Sequence, residues 1–225
     1  MKLPDHFLRY FLIAAAFLIL GILFVIVQSA VVNHHLPPLN ATELRLRADY
    51  HSHVIMPAME KLFPKLLFLN AGVGLFILIV PLSWVWVWWF RRDLLDTIIP
   101  LMQGTVCILM WALGHNSFTK VYVTYRLLSW KMIATMYLPH GWIEMLAFVL
   151  AGTSAFLTID ALKGYLQENG NRESLHPGDI CLFILGRVWK AGLVIFILMA
   201  IAAAVECRVT PELVRSAYNA ALQQL

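Results

Sequence analysis

Apolar residues run almost unbroken through five stretches of this chain, residues 7–32, 66–90, 97–113, 142–162 and 180–205, and polar residues gather between them. A helix needs about 20 apolar residues to cross a hydrocarbon core about 30 Å thick, so each stretch reads as a membrane span. The pattern predicts an all-α protein: a polytopic integral membrane helix bundle of about five transmembrane helices, forming a single membrane domain over residues 1–225. The first run follows a short basic N-terminus, as a signal peptide would. It is longer than the apolar region of about 7–15 residues typical of such signals and lacks a small-residue cleavage site, so it reads as a retained span. The third run is the shortest and most polar, with Pro100, Gln103 and Gly104, and is expected to be broken or buried among the others.

Three segments between the runs are amphipathic. Residues 42–63 predict a helix capped by Thr42 and running toward Pro57 or Pro64. Leu44, Ala48, Ile55, Met59 and Leu62 recur at helical spacing, opposite Glu43, Arg47, Asp49, Tyr50 and Lys61. Such a helix lies along the membrane or offers a docking face, with Arg47, Tyr50 and Lys61 as partner-binding residues. Residues 117–137 mix Lys120, Arg126 and Lys131 with apolar side chains and hold no uncharged window of about 18 residues, which predicts an interfacial or re-entrant helix. The third, residues 211–222, follows Thr210, Pro211 and Glu212, an N-cap and first-turn signature.

Composition narrows the class further. The hydrophobic fraction is 60%, the charged fraction 13% and the mean hydropathy +0.74, against roughly half apolar and a quarter charged in soluble proteins. No soluble domain is left over. The net charge of +4 comes from lysines and arginines scattered through the connections, which suits membrane lipid as a partner and offers no arm for nucleic acid. With the N-terminus inside, about eight Lys and Arg fall on the inner side and about nine on the outer, so charge does not orient the chain. Cys107, Cys181 and Cys207 sit in or beside apolar runs with no CxxC spacing. His34, His35, His51 and His53 raise the question of a metal, but residues two apart do not share a helix face and no cysteine or acidic partner completes a ligand set. No metal or cofactor is expected.

The chemistry concentrates at Leu138-Pro139-His140-Gly141-Trp142-Ile143-Glu144. Pro139 reads as a helix start, because a first-turn residue has no intrahelical use for the N–H that proline lacks. His140 and Glu144 then share one face. A carboxylate about a turn inside a membrane helix is costly, so Glu144 is expected to turn inward and bond a donor from another span. Asn70 is a candidate interhelical hydrogen bonder, and Glu206 is a second carboxylate at a membrane boundary. Ala151, Gly152, Ser154 and Ala155 would let helix backbones approach closely.

The chain carries no HExxH helix, no GxSxG elbow and no phosphate-binding glycine loop, and Asp93 and Asp96 beside Arg91 and Arg92 read as surface charge pairs. A non-enzymatic role follows. Two kinds remain open: a structural or scaffolding bundle, or a small transporter or channel in which His140, Glu144, Glu206, Asn70 and Gln103 converge. Facing carboxylates at 144 and 206 would repel each other and share a proton. No inverted repeat divides the five unequal spans.

In order and spacing these motifs resemble the stage II sporulation protein M family over nearly the whole chain. The resemblance rests on Pro139, His140 and Gly141 with Glu144, on Glu206 followed by Thr210 and Pro211, and more weakly on Asn70 and on Gln103-Gly104, where the family more often has Asn-Gly. It implies a multi-pass membrane protein with a cytoplasmic N-terminus. The family's best-known members act in the sporulation septum of endospore-forming bacteria, within an engulfment complex whose two peptidoglycan hydrolases thin the septal wall, while relatives also occur in organisms that do not sporulate. The membrane component anchors and localises these partners without cutting the wall itself. Clustered small residues and the amphipathic arm also suit a homo-oligomer.

Overall fold

The computed structural model describes residues 6–33, 41–91, 94–125, 130–169 and 175–223. All elements among them are helical: α1 Phe7–Asn33, α2 Ala41–Tyr50, a π-helical turn His51–Ile55, α3 Met56–Phe90, α4 Leu95–Tyr125, α5 Trp130–Asn169, α6 Pro177–Arg208 and α7 Thr210–Leu222. Five of them, α1, α3, α4, α5 and α6, contain segments long and apolar enough to cross a membrane. Without water to satisfy backbone groups, such segments must bond internally, and the helix does this within one stretch of chain.

The same constraint explains why the helices overrun their expected ends. Pro139 does not start a helix: it lies inside α5, which begins at Trp130. The third span is not broken at Pro100, which sits inside the continuous α4. Pro64 and Pro81 lie inside α3, and Pro57 occupies its first turn. An interior proline forfeits one backbone bond, whereas stopping the helix in hydrocarbon would leave several groups unpaired. The amphipathic segment expected over 42–63 is therefore divided: α2 ends at Tyr50, a π turn follows, and residues 56–63 open α3. Thr42 lies within the first turn of α2, after Ala41. The interfacial helix expected over 117–137 is instead the tail of α4 and the head of α5, with residues 126–129 outside the described residues.

Successive spans alternate in direction. Tyr10 of α1 meets Asp160 near the end of α5, Lys163 lies 3.9 Å from Asp96 at the start of α4, and Trp89 of α3 stacks on His176 before α6. These contacts mark one face of the bundle, called the near face, where α1 begins. The far face holds the start of α3, the end of α6, and α2 and α7, which pack together. Along α5, a rise of about 1.5 Å per residue puts His140 about 34 Å from Lys163, close to the thickness of a hydrocarbon core.

α5 is the central helix. In its apolar segment 61% of residues are buried, against 28–33% in the other four, and it touches α1, α3, α4, α6 and α7. Ala147, Ala151 and Ala155 on this helix are wholly buried. α1 and α4 cross most closely: a Cβ placed on Gly21 would lie 2.1 Å from the Trp111 carbonyl oxygen, and one on Gly114 2.1 Å from that of Leu18. Gly152 fits against Met110 and Ala14, joining the same pair to α5. Outward residues such as Leu12, Phe24, Phe68, Leu193 and Ile197 are exposed and form the apolar girdle of a lipid-embedded bundle.

Candidate functional site

Four helices bring polar side chains together at the far face. Asn70 sits well inside α3 and Glu144 lies on α5, one turn after His140. The Asn70 amide Nδ2 donates to Glu144 Oε1 at 2.5 Å, and both residues are half-buried. Their partnership removes an unpaired amide and an unpaired carboxylate from apolar surroundings. Glu144 is also engaged beyond this one bond.

His140, only 6% exposed, shares a hydrogen bond of 3.0 Å between its Nδ1 and Thr210 Oγ1. The Tyr137 ring lies 6.1 Å from its imidazole, centroid to centroid. Thr210 is the first residue of α7, and Val209 alone separates it from α6. The Val209 N–H still bonds to the Val205 carbonyl, so α6 turns into α7 almost without interruption. Thr210 thus ties the α6–α7 junction to α5. Pro211, buried beside it, presents its carbonyl to His51 Nε2 at 3.2 Å.

His51 belongs to the π turn, whose wider winding separates α2 from α3 and aims this imidazole at α7. It also lies 6.0 Å from the Tyr218 ring. His53 donates through Nδ1 to the Asp49 carbonyl at 2.9 Å. These two histidines therefore serve the backbone, and among the described residues no group of three His, Cys, Asp or Glu converges as a metal site would require. His34 and His35 lie outside the described residues.

Other expected site residues are placed differently. Gln103 is half-buried on α4, and its side chain forms no hydrogen bond with a described residue. Gly104 and Gly141 both face open space among the described residues, with none of their atoms within 4 Å of an added Cβ. Glu206, half-buried in the last turn of α6, has a partner. Tyr50 and Lys61 are exposed and Arg47 is half-buried. The apolar face of α2 is not free for docking: Leu44 and Ala48 are buried, with α2 laid against α7. A different stripe, Leu46, Tyr50 and Val54, remains 70%, 57% and 48% exposed at successive helical turns.

The near face has a polar tie that the expected site residues do not include. Tyr10, 5% exposed, donates its hydroxyl to Asp160 and stacks on Phe156 with ring centroids 5.3 Å apart. Asp160 stands in the same apolar run as Glu144, so the cost of a carboxylate in hydrocarbon flags it equally. Asp96 faces Lys163 at 3.9 Å, while Arg91 has a partner of its own and Arg92 and Asp93 lie outside the described residues. The helix start that follows is built locally: Pro177 opens α6, and Asp179 accepts from the His176 N–H at 3.0 Å.

Beside the far-face ties, a cavity of about 360 Å³ is lined by Phe63 of α3 and by Ala204, Cys207 and Arg208 of α6. Phe63 shares a face of α3 with Asn70, two turns deeper. Comparison with protein-family models, with curated proteins and with solved structures returns no match to this chain.

Proposed function

We propose that the chain is a non-catalytic membrane scaffold that anchors and localises peptidoglycan hydrolases, the role its resemblance to the stage II sporulation protein M family implies. The observation that carries this reading is the use made of the polar residues on which the resemblance rests. Asn70 with Glu144, and His140 with Thr210, tie α3, α5 and the α6–α7 junction to one another. Groups held this way fix the shape of one face of the bundle.

That face is where partners would dock. With the N-terminus in the cytoplasm, the near face is cytoplasmic, and five spans put α2, the π turn and α7 on the outer side, facing the wall. The exposed stripe of Leu46, Tyr50 and Val54 then meets the hydrolase, with Arg47 and Lys61 at its margins. In a sporulating host the assembly works at the septum and in engulfment.

Transport has less support. Glu144 and Asp160 are about 24 Å apart along α5, but 100° per residue puts them on opposite sides of that helix. Between them Thr153 and Thr158 bond back to the carbonyls of Val149 and Ser154, so no polar stripe joins the two carboxylates.

The test is affinity purification of the tagged protein in mild detergent from septating cells, with mass spectrometry of what stays bound. A wall hydrolase should co-purify with the wild type and be lost from L46E and Y50E, whose exposed positions leave the fold intact. Recovery of no extracytoplasmic enzyme under crosslinking, together with solute or proton flux in proteoliposomes, would replace the scaffold reading with transport.

A further inference from the structure

We propose that the cavity between α3 and α6 binds the phosphate head of an anionic phospholipid from the far-face leaflet. Its position is the first reason. Phe63 and Cys207 bound it at the membrane boundary of the far face, level with the last turn of α6 and a few residues from Lys61, where the apolar span of α3 begins. A molecule entering there meets apolar walls on the membrane side and water on the other.

Charge is the second reason. Arg208 lines the cavity and is exposed, and its side chain forms no ion pair or hydrogen bond with a described residue. Arg215, seven residues on, is by contrast matched by Glu212 at 2.5 Å. Glu206 is engaged and is not among the described lining residues. An arginine lining a largely apolar pocket, its guanidinium unpaired among the described residues, suits a phosphate, which accepts two of its N–H groups at once. The size agrees: about 360 Å³ is near the lower end of small-molecule pockets, enough for a head group and glycerol while the acyl chains stay in the bilayer.

Lipid bound here would contact α3 and α6 within the same packed pair that carries Asn70, which makes it a stabiliser of the far face. The proposal is independent of the scaffold reading, since lipid preference is measured without any partner protein.

The experiment uses the purified full chain in detergent. Thermal midpoints and native mass spectra are recorded with added phosphatidylglycerol, phosphatidylcholine or inorganic phosphate. Phosphatidylglycerol should raise the midpoint more than phosphatidylcholine and stay bound in the spectra, with no shift from inorganic phosphate. R208Q should weaken phosphatidylglycerol binding about tenfold or more, the loss expected for a charge-assisted hydrogen bond. A204F, which fills the cavity without changing charge, should also remove the preference, and K190Q on the other half of α6 should keep it. A purely structural Arg208 would lower the midpoint equally in both lipids. That result, or an unchanged preference in R208Q or A204F, or an equal shift from inorganic phosphate, would overturn the proposal.

Discussion

Asn70 and Glu144 lie 74 positions apart in the chain and meet through one hydrogen bond, both half-buried on apolar helices. Either truncation breaks this bond in a half-buried, apolar setting, so E144A and N70A should each cost about 1–3 kcal/mol of stability, N70A the less because Glu144 keeps its other contact. Because the two act on the same bond, the double mutant should cost less than the sum, with a coupling of about 0.6–1.7 kcal/mol as found between polar residues of membrane helices. E144Q should lose least, since its amide oxygen still accepts from Asn70. Thermal unfolding of the four variants in detergent measures all of these, and strictly additive losses would show that the bond contributes nothing. His140 and Thr210 are the milder case, an imidazole and a hydroxyl at the boundary.

Helices in this bundle approach one another where side chains are small, and the glycines divide cleanly by what surrounds them. At Gly21 and Gly114 the backbone of α1 touches that of α4, so an added methyl has only main chain to displace. G114A should lower the thermal midpoint through an overpacking cost of about 1–3 kcal/mol, because α1 and α4 must move apart. G104A and G141A should leave the midpoint almost unchanged, as no described residue lies within 4 Å of a methyl at either position. If G104A or G141A instead abolished recovery of a partner without moving the midpoint, those glycines would lie at an interface with another chain. Spacing alone does not separate the two kinds of glycine, since which helix crosses at each one is a property of the packed bundle.

An odd number of spans sends the two ends of the molecule to opposite sides of the membrane. His6 stands at the near face and Asn219, exposed on α7, at the far face. In a cysteine-free background, H6C and N219C should therefore react with an impermeant thiol reagent from opposite sides, and labelling of both from one side would require an even number of crossings. The Trp-rich end of α3 should mark the near interface, since Trp84, Trp86 and Trp89 precede Arg91 and tryptophan prefers the headgroup level. At the other interface the amphipathic α2 and α7 pack on each other, so the far face is a built surface of helices, while toward the near face Tyr165 of α5 stacks on Phe183 of α6.

Much of this architecture is written in hydropathy. Five apolar runs in a chain with 13% charged residues have one low-energy solution, helices in lipid, because no other local structure satisfies their backbone without water. The helical ends were less legible. Proline favours first turns, so Pro139 reads as a start, but a membrane helix gives up one bond more readily than it stops, and α5 begins at Trp130. The need of Glu144 for an interhelical donor could be read from its cost in hydrocarbon, and Asn70 could be read as a donor in search of a partner. That these two answer each other, that Thr210 meets His140 while opening α7, that Asp160 turns to Tyr10, and that a cavity forms beside Arg208 were decided by helix packing alone. Sequence states which groups cannot be left alone in a membrane; only the relative placement of the helices determines whose company each one finds.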